Sequence, residues 1–317
     1  MDKALIVVGQ FKTMKHIYAI LYLIIVSLLP AVRVDAGNAR TDKIIISGTG
    51  DSYRVFDMLA RAFDISHPQS VVQVPTAVGS TRGIREVAEG ACDLARVTRP
   101  PTGPEIAWNL KYRVIGYCPI VFIANNSVTG IESLSTEQII GIYSGRITHW
   151  NQIGGPPRKI YVVNRQIGDT SRRIVENRLS GFKAVTSVVG YTAFNVDEKI
   201  QILNRYRFTI AYVPLASLPD THLIRFRLNG VAPSIENVKA GRYSLFIPFA
   251  LAWKEPVSDT AQSFLTFVFS REGRRILLKN STLPADEWKK QQAAGEHRGP
   301  PLRPAPHTPR FSLSPEP

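Results

Sequence analysis

Three stretches of the sequence place Gly with Ser or Thr, two of them with Arg as well, where an apolar run hands over to an amphipathic one: "GTGDSY" from Gly48, "GSTRG" from Gly79 and "RQIGDTSR" from Arg165. A helix N-terminus leaves about four backbone N–H groups without internal partners and carries the positive end of the helix dipole. Hydroxyl side chains add donors, and an arginine adds a planar fork that matches an oxyanion. The chemistry these residues could do is the reversible holding of an anion. Gly48, Gly50 and Gly79 would let the backbone approach a ligand closely. Taken singly, each junction also fits an ordinary helix cap, and spacing alone does not bring three of them together.

The third stretch carries an acid, Asp169, in the middle of its turn. Asp is a preferred N-cap residue and would accept from N–H groups two or three residues on. If it also faced a bound anion while ionised, a charge pair ~4 Å apart would cost roughly 4 kcal/mol at an effective dielectric of 20, about a thousandfold in affinity. Arg82, Arg172 and Arg173 fall in first helical turns, where they give the region a positive field or stand as solvated surface residues. The six histidines are scattered, with no His-Glu-x-x-His or Gly-x-Ser-x-Gly arrangement. The expectation is therefore a protein that is not an enzyme and has no cofactor, metal ligands or catalytic residues.

The elements that must position these stretches alternate short apolar strands with amphipathic helices, which predicts an α/β fold with largely parallel sheets. "KIIISGTG" reads as a strand, and "SYRVFDMLARAFDIS" as a helix with Val55, Met58, Leu59 and Phe63 on one face. "SLSTEQIIGIYSG" reads as a helix with Ser133 or Ser135 as its N-cap. No fixed-period repeat occurs, which excludes a solenoid.

The ends lie outside this pattern. "IYAILYLIIVSLL" (Ile17 to Leu29), preceded by Lys15 and followed by "PAVRVDAG", reads as a cleaved secretory signal peptide within residues 1–36. The apolar run is shorter than the roughly 20 residues of a spanning helix. Residues 1–13, ahead of Met14, read as a mis-assigned start. Residues 285–317, with the proline-rich stretch from Gly299, read as a disordered tail. The net charge is +14, and the chain without residues 1–36, which hold four basic and two acidic residues, keeps +12. Basic charge suits an anionic ligand, membrane or nucleic acid, and export argues against nucleic acid. Cys92 and Cys118 would reach an oxidising compartment, where a disulfide and two buried thiols both remain open.

With those residues in view, the chain resembles the phosphate-binding proteins of phosphate ABC transporters. The resemblance rests on "IISGTGDSYRVFDMLARAF", "VGSTRGIREVAEGACDLARVTRP", "LSTEQIIGIYSGRITHWNQIGGPPRKIYVVNR" and "FLTFVFSREGRRILL". It implies a type II-like, two-lobed periplasmic binding protein fold, with lobes at 43–120 plus 243–284 and 121–242 and an anion held between them. It implies ligand contacts at Ser52 and Tyr53, at Ser80 and Thr81, at Arg165, and at Thr170 and Ser171. Where relatives often carry an acid, this chain has Thr98 followed by Arg99. Arg99 could be a second fork or a lobe-to-lobe ion pair, and Asp169, standing in place of a hydroxyl donor, could accept the P–OH hydrogen of phosphate. The implied partners are phosphate or a similar oxyanion and an inner-membrane permease, for a periplasmic monomer. A second reading keeps the fold as a sensor or interaction module with an altered ligand.

Overall fold

The computed structural model describes residues 42–185, 188–219 and 221–293. The signal segment and the proline-rich stretch from Gly299 lie outside the described residues. The first elements alternate as the apolar pattern predicts: β1 (Asp42–Gly48), α1 (Tyr53–Ser66), β2 (Ser70–Gln73), α2 (Ser80–Ala88) and β3 (Leu94–Val97). Both β2 and β3 pair with β1 in parallel. Helix α1 buries Val55, Phe56, Leu59, Ala60 and Phe63, and each large apolar side chain so buried contributes about 1.5–3 kcal/mol. Met58, expected on that face, is only partly buried.

The long strand β4 (Lys111–Ala124) follows, then β5 (Ser133–Leu134), α3 (Thr136–Tyr143), β6 (Tyr161–Arg165), α4 (Thr170–Arg178), β7 (Tyr191–Ala193), α5 (Val196–Arg205) and β8 (Thr209–Pro214). Of the two candidate caps for α3, Ser135 is the one used. Its hydroxyl accepts from Gln138 N–H at 3.1 Å while Gln138 Oε1 accepts from Ser135 N–H at 2.8 Å. Two short strands, β9 (Ile224–Arg225) and β10 (Arg227–Leu228), lead to α6 (Ile235–Lys239). The chain then returns through β11 (Phe246–Trp253), α7 (Asp259–Val268), α8 (Arg271–Lys279), β12 (Leu283–Pro284) and α9 (Ala285–Ala293).

The strands run in the order β2-β1-β3-β11-β4-β8-β6-β7. The sheet is mixed rather than largely parallel, because β11 is antiparallel to β3 and β4, and β4 is antiparallel to β8. The reason lies in β4, which pairs with β11 through Lys111–Pro119 and with β8 through Ile120–Ala124. The returning chain runs beside it, with Ile120 N–H donating to the Leu245 carbonyl at 2.8 Å. A strand leaving one half of the sheet and a strand coming back to it must point in opposite directions.

The turn after β1 is held from below by Arg96 on β3. That side chain is fully buried and donates to the carbonyls of Thr49 at 2.9 Å, Pro75 at 2.8 Å and Ile46. Burial lowers its pKa to about 10. Gly48 is required here: its φ is +130°, and a Cβ would lie 2.0 Å from the Arg96 carbonyl oxygen. Cys92 and Cys118 are both free, buried thiols, with burial pushing them up to about 11 and about 12.

Residues 285–293, expected as part of a disordered tail, are helical instead. Residues 285–293 form α9, and Trp288 is 3% exposed, packed 5.2 Å from Tyr117 and 5.1 Å from Phe246 between ring centroids. The proline content further on hid an aromatic anchor, Trp288, which holds the helix against the core together with the ion pairs Lys239–Glu287 and Arg274–Asp286. Trp288→Ala should lower the unfolding free energy by about 3 kcal/mol in urea, at unchanged m-value. An unchanged midpoint would mean that Trp288 belongs to a tail after all.

Candidate anion-binding site

The first two junctions meet at Gly48. Its carbonyl accepts from Val78 N–H at 2.9 Å and from Gly79 N–H at 3.2 Å, which seats the start of α2 beside the turn that leads into α1. A Cβ on Gly83 would fall 2.7 Å from Gly48 Cα, so this approach depends on glycine at both positions. The third junction is joined to the first across 120 residues of sequence: Ser171 Oγ donates to Asp51 Oδ2 at 2.9 Å. The hydroxyl of Ser217 donates to the Asp51 main-chain carbonyl at 2.7 Å.

Neither Ser52, which precedes α1, nor Gly79, which precedes α2, caps its helix with a side-chain hydrogen bond. The first amides of both helices are thus not covered by a cap side chain. The Ser52 hydroxyl is fully buried with no partner, and so are Asp51 Oδ1 and the Nε and Nη1 of Arg165. Buried polar groups without partners are uncommon in folded proteins, and a cluster of them, mostly donors, marks a place that an acceptor-rich group would satisfy.

Asp169 does something different from its neighbours. Its Oδ1 accepts from Arg172 N–H at 3.1 Å as the cap of α4, and its Oδ2 accepts from Arg165 Nη2 at 2.5 Å. Burial opposes ionisation of its carboxyl, yet the Arg165 guanidinium, with Lys199 and the Arg172 amide, holds its pKa below the ordinary value. Asp51 goes the other way: burial pushes its carboxyl up, the nearby Asp169 charge adds to this, and Arg165 only partly offsets them. Two acids whose charges interact are therefore driven in opposite directions, Asp169 toward its ionised form and Asp51 away from it.

The remaining expected contacts sort into a second group. Ser80 Oγ lies 3.2 Å from Thr98 Oγ1 and accepts from Thr98 N–H at 3.2 Å. Arg99 is neither a free fork nor a lobe-to-lobe pair: it holds Glu105 through two bonds, 2.6 and 2.8 Å, and also donates to Thr81 Oγ1 at 2.8 Å. Glu105, six residues on in the 3-10 turn Gly103–Trp108, takes both arms of the fork. The Tyr53 amide is used locally, donating to the Gly50 carbonyl at 3.1 Å. Arg82 pairs with Glu86, and Arg172 with Glu176 and the Arg165 carbonyl. Thr170 opens α4, partly buried.

Three contributors escaped the sequence reading: Asp51, Ser217 and Lys199. An acid inside the glycine-rich turn "GTGDSY" was a visible signal for Asp51. Lys199 shares the apolar face of α5 with Val196, Ile200 and Leu203, a position where a charge needs a reason. Ser217 comes from a short 3-10 turn, Leu215–Ser217, for which the sequence offers no signal. Among the described residues no group of His, Cys, Asp and Glu could hold a metal ion.

The chain as a whole is similar to known phosphate-binding proteins. The chain is 23% identical over 253 residues to the phosphate-binding protein PstS of Bacillus subtilis, covering 78% of this chain and 82% of that one. It is 24% identical over 276 residues to the phosphate-binding protein PstS of Borreliella burgdorferi, covering 83% and 96%. A Clostridium perfringens protein assigned as the substrate-binding protein of a phosphate ABC transporter, solved with bound phosphate, superposes with a TM-score of 0.70. It is 25% identical, and the match covers 77% of this chain and 100% of that one. The fold is the two-lobed α/β fold that the sequence resemblance implied. Residues 33–272 match the PBP superfamily domain, and the chain belongs to the PBP superfamily.

Proposed function

We propose that this protein captures phosphate in the cleft between two lobes and delivers it to the permease of an ABC transporter. The observation that carries the reading is the partially used fork of Arg165: one nitrogen holds Asp169, while Nε and Nη1 are buried and unpaired beside the Asp51–Ser52 turn. A phosphate oxyanion satisfies such donors with charge-assisted hydrogen bonds, each contributing about 1.5–3 kcal/mol. The PstS relatives and the phosphate-bound Clostridium perfringens structure support the same ligand. The lobes are residues 43–120 plus 243–284 and residues 121–242, and closure about the two crossing segments is the working step. Ser52, Ser80, Arg165, Thr170 and Ser171 supply the donors. The protein acts outside the cytoplasm as a monomer, by binding and without catalysis.

Asp169 does not bar the ligand in this reading, since its charge is absorbed by Arg165 and by the cap of α4. The acceptor for the P–OH hydrogen is then Asp51, whose Oδ1 has no protein partner. Phosphate brings that proton with it, whereas sulfate must wait for the carboxyl to take one from solvent. The idea of an altered ligand loses its motive once Asp169 is accounted for by its neighbours.

Titration calorimetry of the protein freed of bound anion should show phosphate binding at micromolar or lower concentration and sulfate roughly a hundredfold weaker. Absence of heat with phosphate would sink the reading. Arg165→Lys keeps the charge and loses the fork, so phosphate affinity should drop roughly tenfold or more. Asp51→Asn should narrow the phosphate-to-sulfate ratio by about tenfold; an unchanged ratio would remove Asp51 from the specificity argument.

A further inference from the structure

A second cation is buried behind the anion loop. Lys199 is 1% exposed, and of the three donors an ammonium carries it uses one, from Nζ to the Tyr212 carbonyl at 2.5 Å. The ammonium also lies 4.2 Å from the centroid of the Tyr212 ring. The Tyr212 hydroxyl donates to Asn164 Oδ1 at 2.8 Å, and Asn164 directly precedes Arg165. Lys199 thus sits behind the residue pair that carries the fork.

The groups that face it come from four elements. Arg165 ends β6, Asp169 caps α4, and Asp51 belongs to the turn before α1; the charges of all three couple with that of Lys199. Tyr212 lies on β8, with Tyr143 of α3 at 5.8 Å behind it, and burial pushes both phenols well above their ordinary range. Glu198, the neighbour on the same helix, is engaged elsewhere by the Tyr191 hydroxyl and the Phe194 amide. Lys199 has no carboxylate in direct contact, so a purely structural role leaves its burial costly.

We propose that Lys199 is an affinity-determining residue of the cleft, which takes a proton from solvent as the anion enters and supplies the second positive charge beside Arg165. The inference rests on the phosphate reading above. The charge count explains it: with both carboxyls ionised and no ligand present, Arg165 and a protonated Lys199 only balance Asp51 and Asp169. A phosphate dianion adds two negative charges to that group. Burial and then the Arg165 charge bring the Lys199 ammonium down to about 7, while Asp169 and Asp51 pull it back only in part. A dianion nearby extends the upward pull. The balanced step is neutral amine plus one solvent proton plus hydrogen phosphate going to ammonium and bound hydrogen phosphate. In the ligand-free protein the sign is opposite. The unfolded chain binds more protons than the folded one between about pH 7 and 10, so stability rises with pH across that window, and the buried charge is a burden below it.

Titration calorimetry of the purified protein with inorganic phosphate near pH 8, in two buffers of different ionisation enthalpy, counts the protons taken up. The expected result is uptake approaching one proton per phosphate, with affinity falling roughly tenfold per pH unit between about pH 7.5 and 9. Lys199→Met should abolish both the uptake and the slope. It should also leave the ligand-free Tm near pH 7 equal or higher, because an apolar chain of similar length replaces a buried charge. Phosphate heat without proton uptake overturns the inference and leaves the phosphate reading standing. Uptake that persists in Lys199→Met, or a lower Tm with the slope intact, overturns it too, assigning the proton elsewhere or the lysine to structure. No heat with phosphate removes both readings together.

Discussion

The hydrogen bond from Ser171 to Asp51, 2.9 Å long and spanning 120 residues of sequence, is the contact on which the cleft depends. It joins a turn built on β1 to the start of a helix built on β6. For it to form, both ends must already be rigid. Arg96 stiffens the first end by holding three carbonyls around the turn. Asp169 stiffens the second by capping α4 and clamping Arg165. The two supports use the same currency, a guanidinium buried against fixed acceptors, and neither faces solvent.

An acid in the middle of an anion loop looks like a contradiction until its oxygens are followed. One is spent on the helix start and the other on one nitrogen of a three-nitrogen cation. The loop therefore keeps a net donor surface despite the carboxylate. Asp51, a few ångströms of backbone from the unpaired Ser52 hydroxyl, is the acid with a free oxygen. Which carboxylate can meet an anion is decided by which one already has partners, and only the fold decides that.

Much of the architecture was legible because it follows local pattern. The strand-helix alternation up to β3, the Ser135 cap and the buried face of α1 came from periodicity and cap chemistry. The mixed sheet was not, because the direction of β11 depends on where the chain returns, and no local signal encodes a return. Within the site, Arg165 and the hydroxyls around it stood out by type. Arg99 misled, since a nearby Glu105 captures it. Lys199 passed unread because a lone lysine in an apolar helix face is a pattern break whose meaning depends on β8, which lies after it in sequence.

Helix α9 places Trp288 against Tyr117 on β4 and Phe246 at the start of β11, the two segments by which the chain passes between the halves of the sheet. Those two rings also contact each other, 5.7 Å apart. The clasp acts as a splint on the crossing, and Phe246 also meets Arg178 at the far end of α4, 5.7 Å from ring centroid to guanidinium. Under the closure proposed above, which bends the chain there, observed affinity is contact energy less the cost of bending. Natural variation in three aromatic residues can therefore shift how tightly such a protein holds its ligand while every group that touches the ligand stays the same.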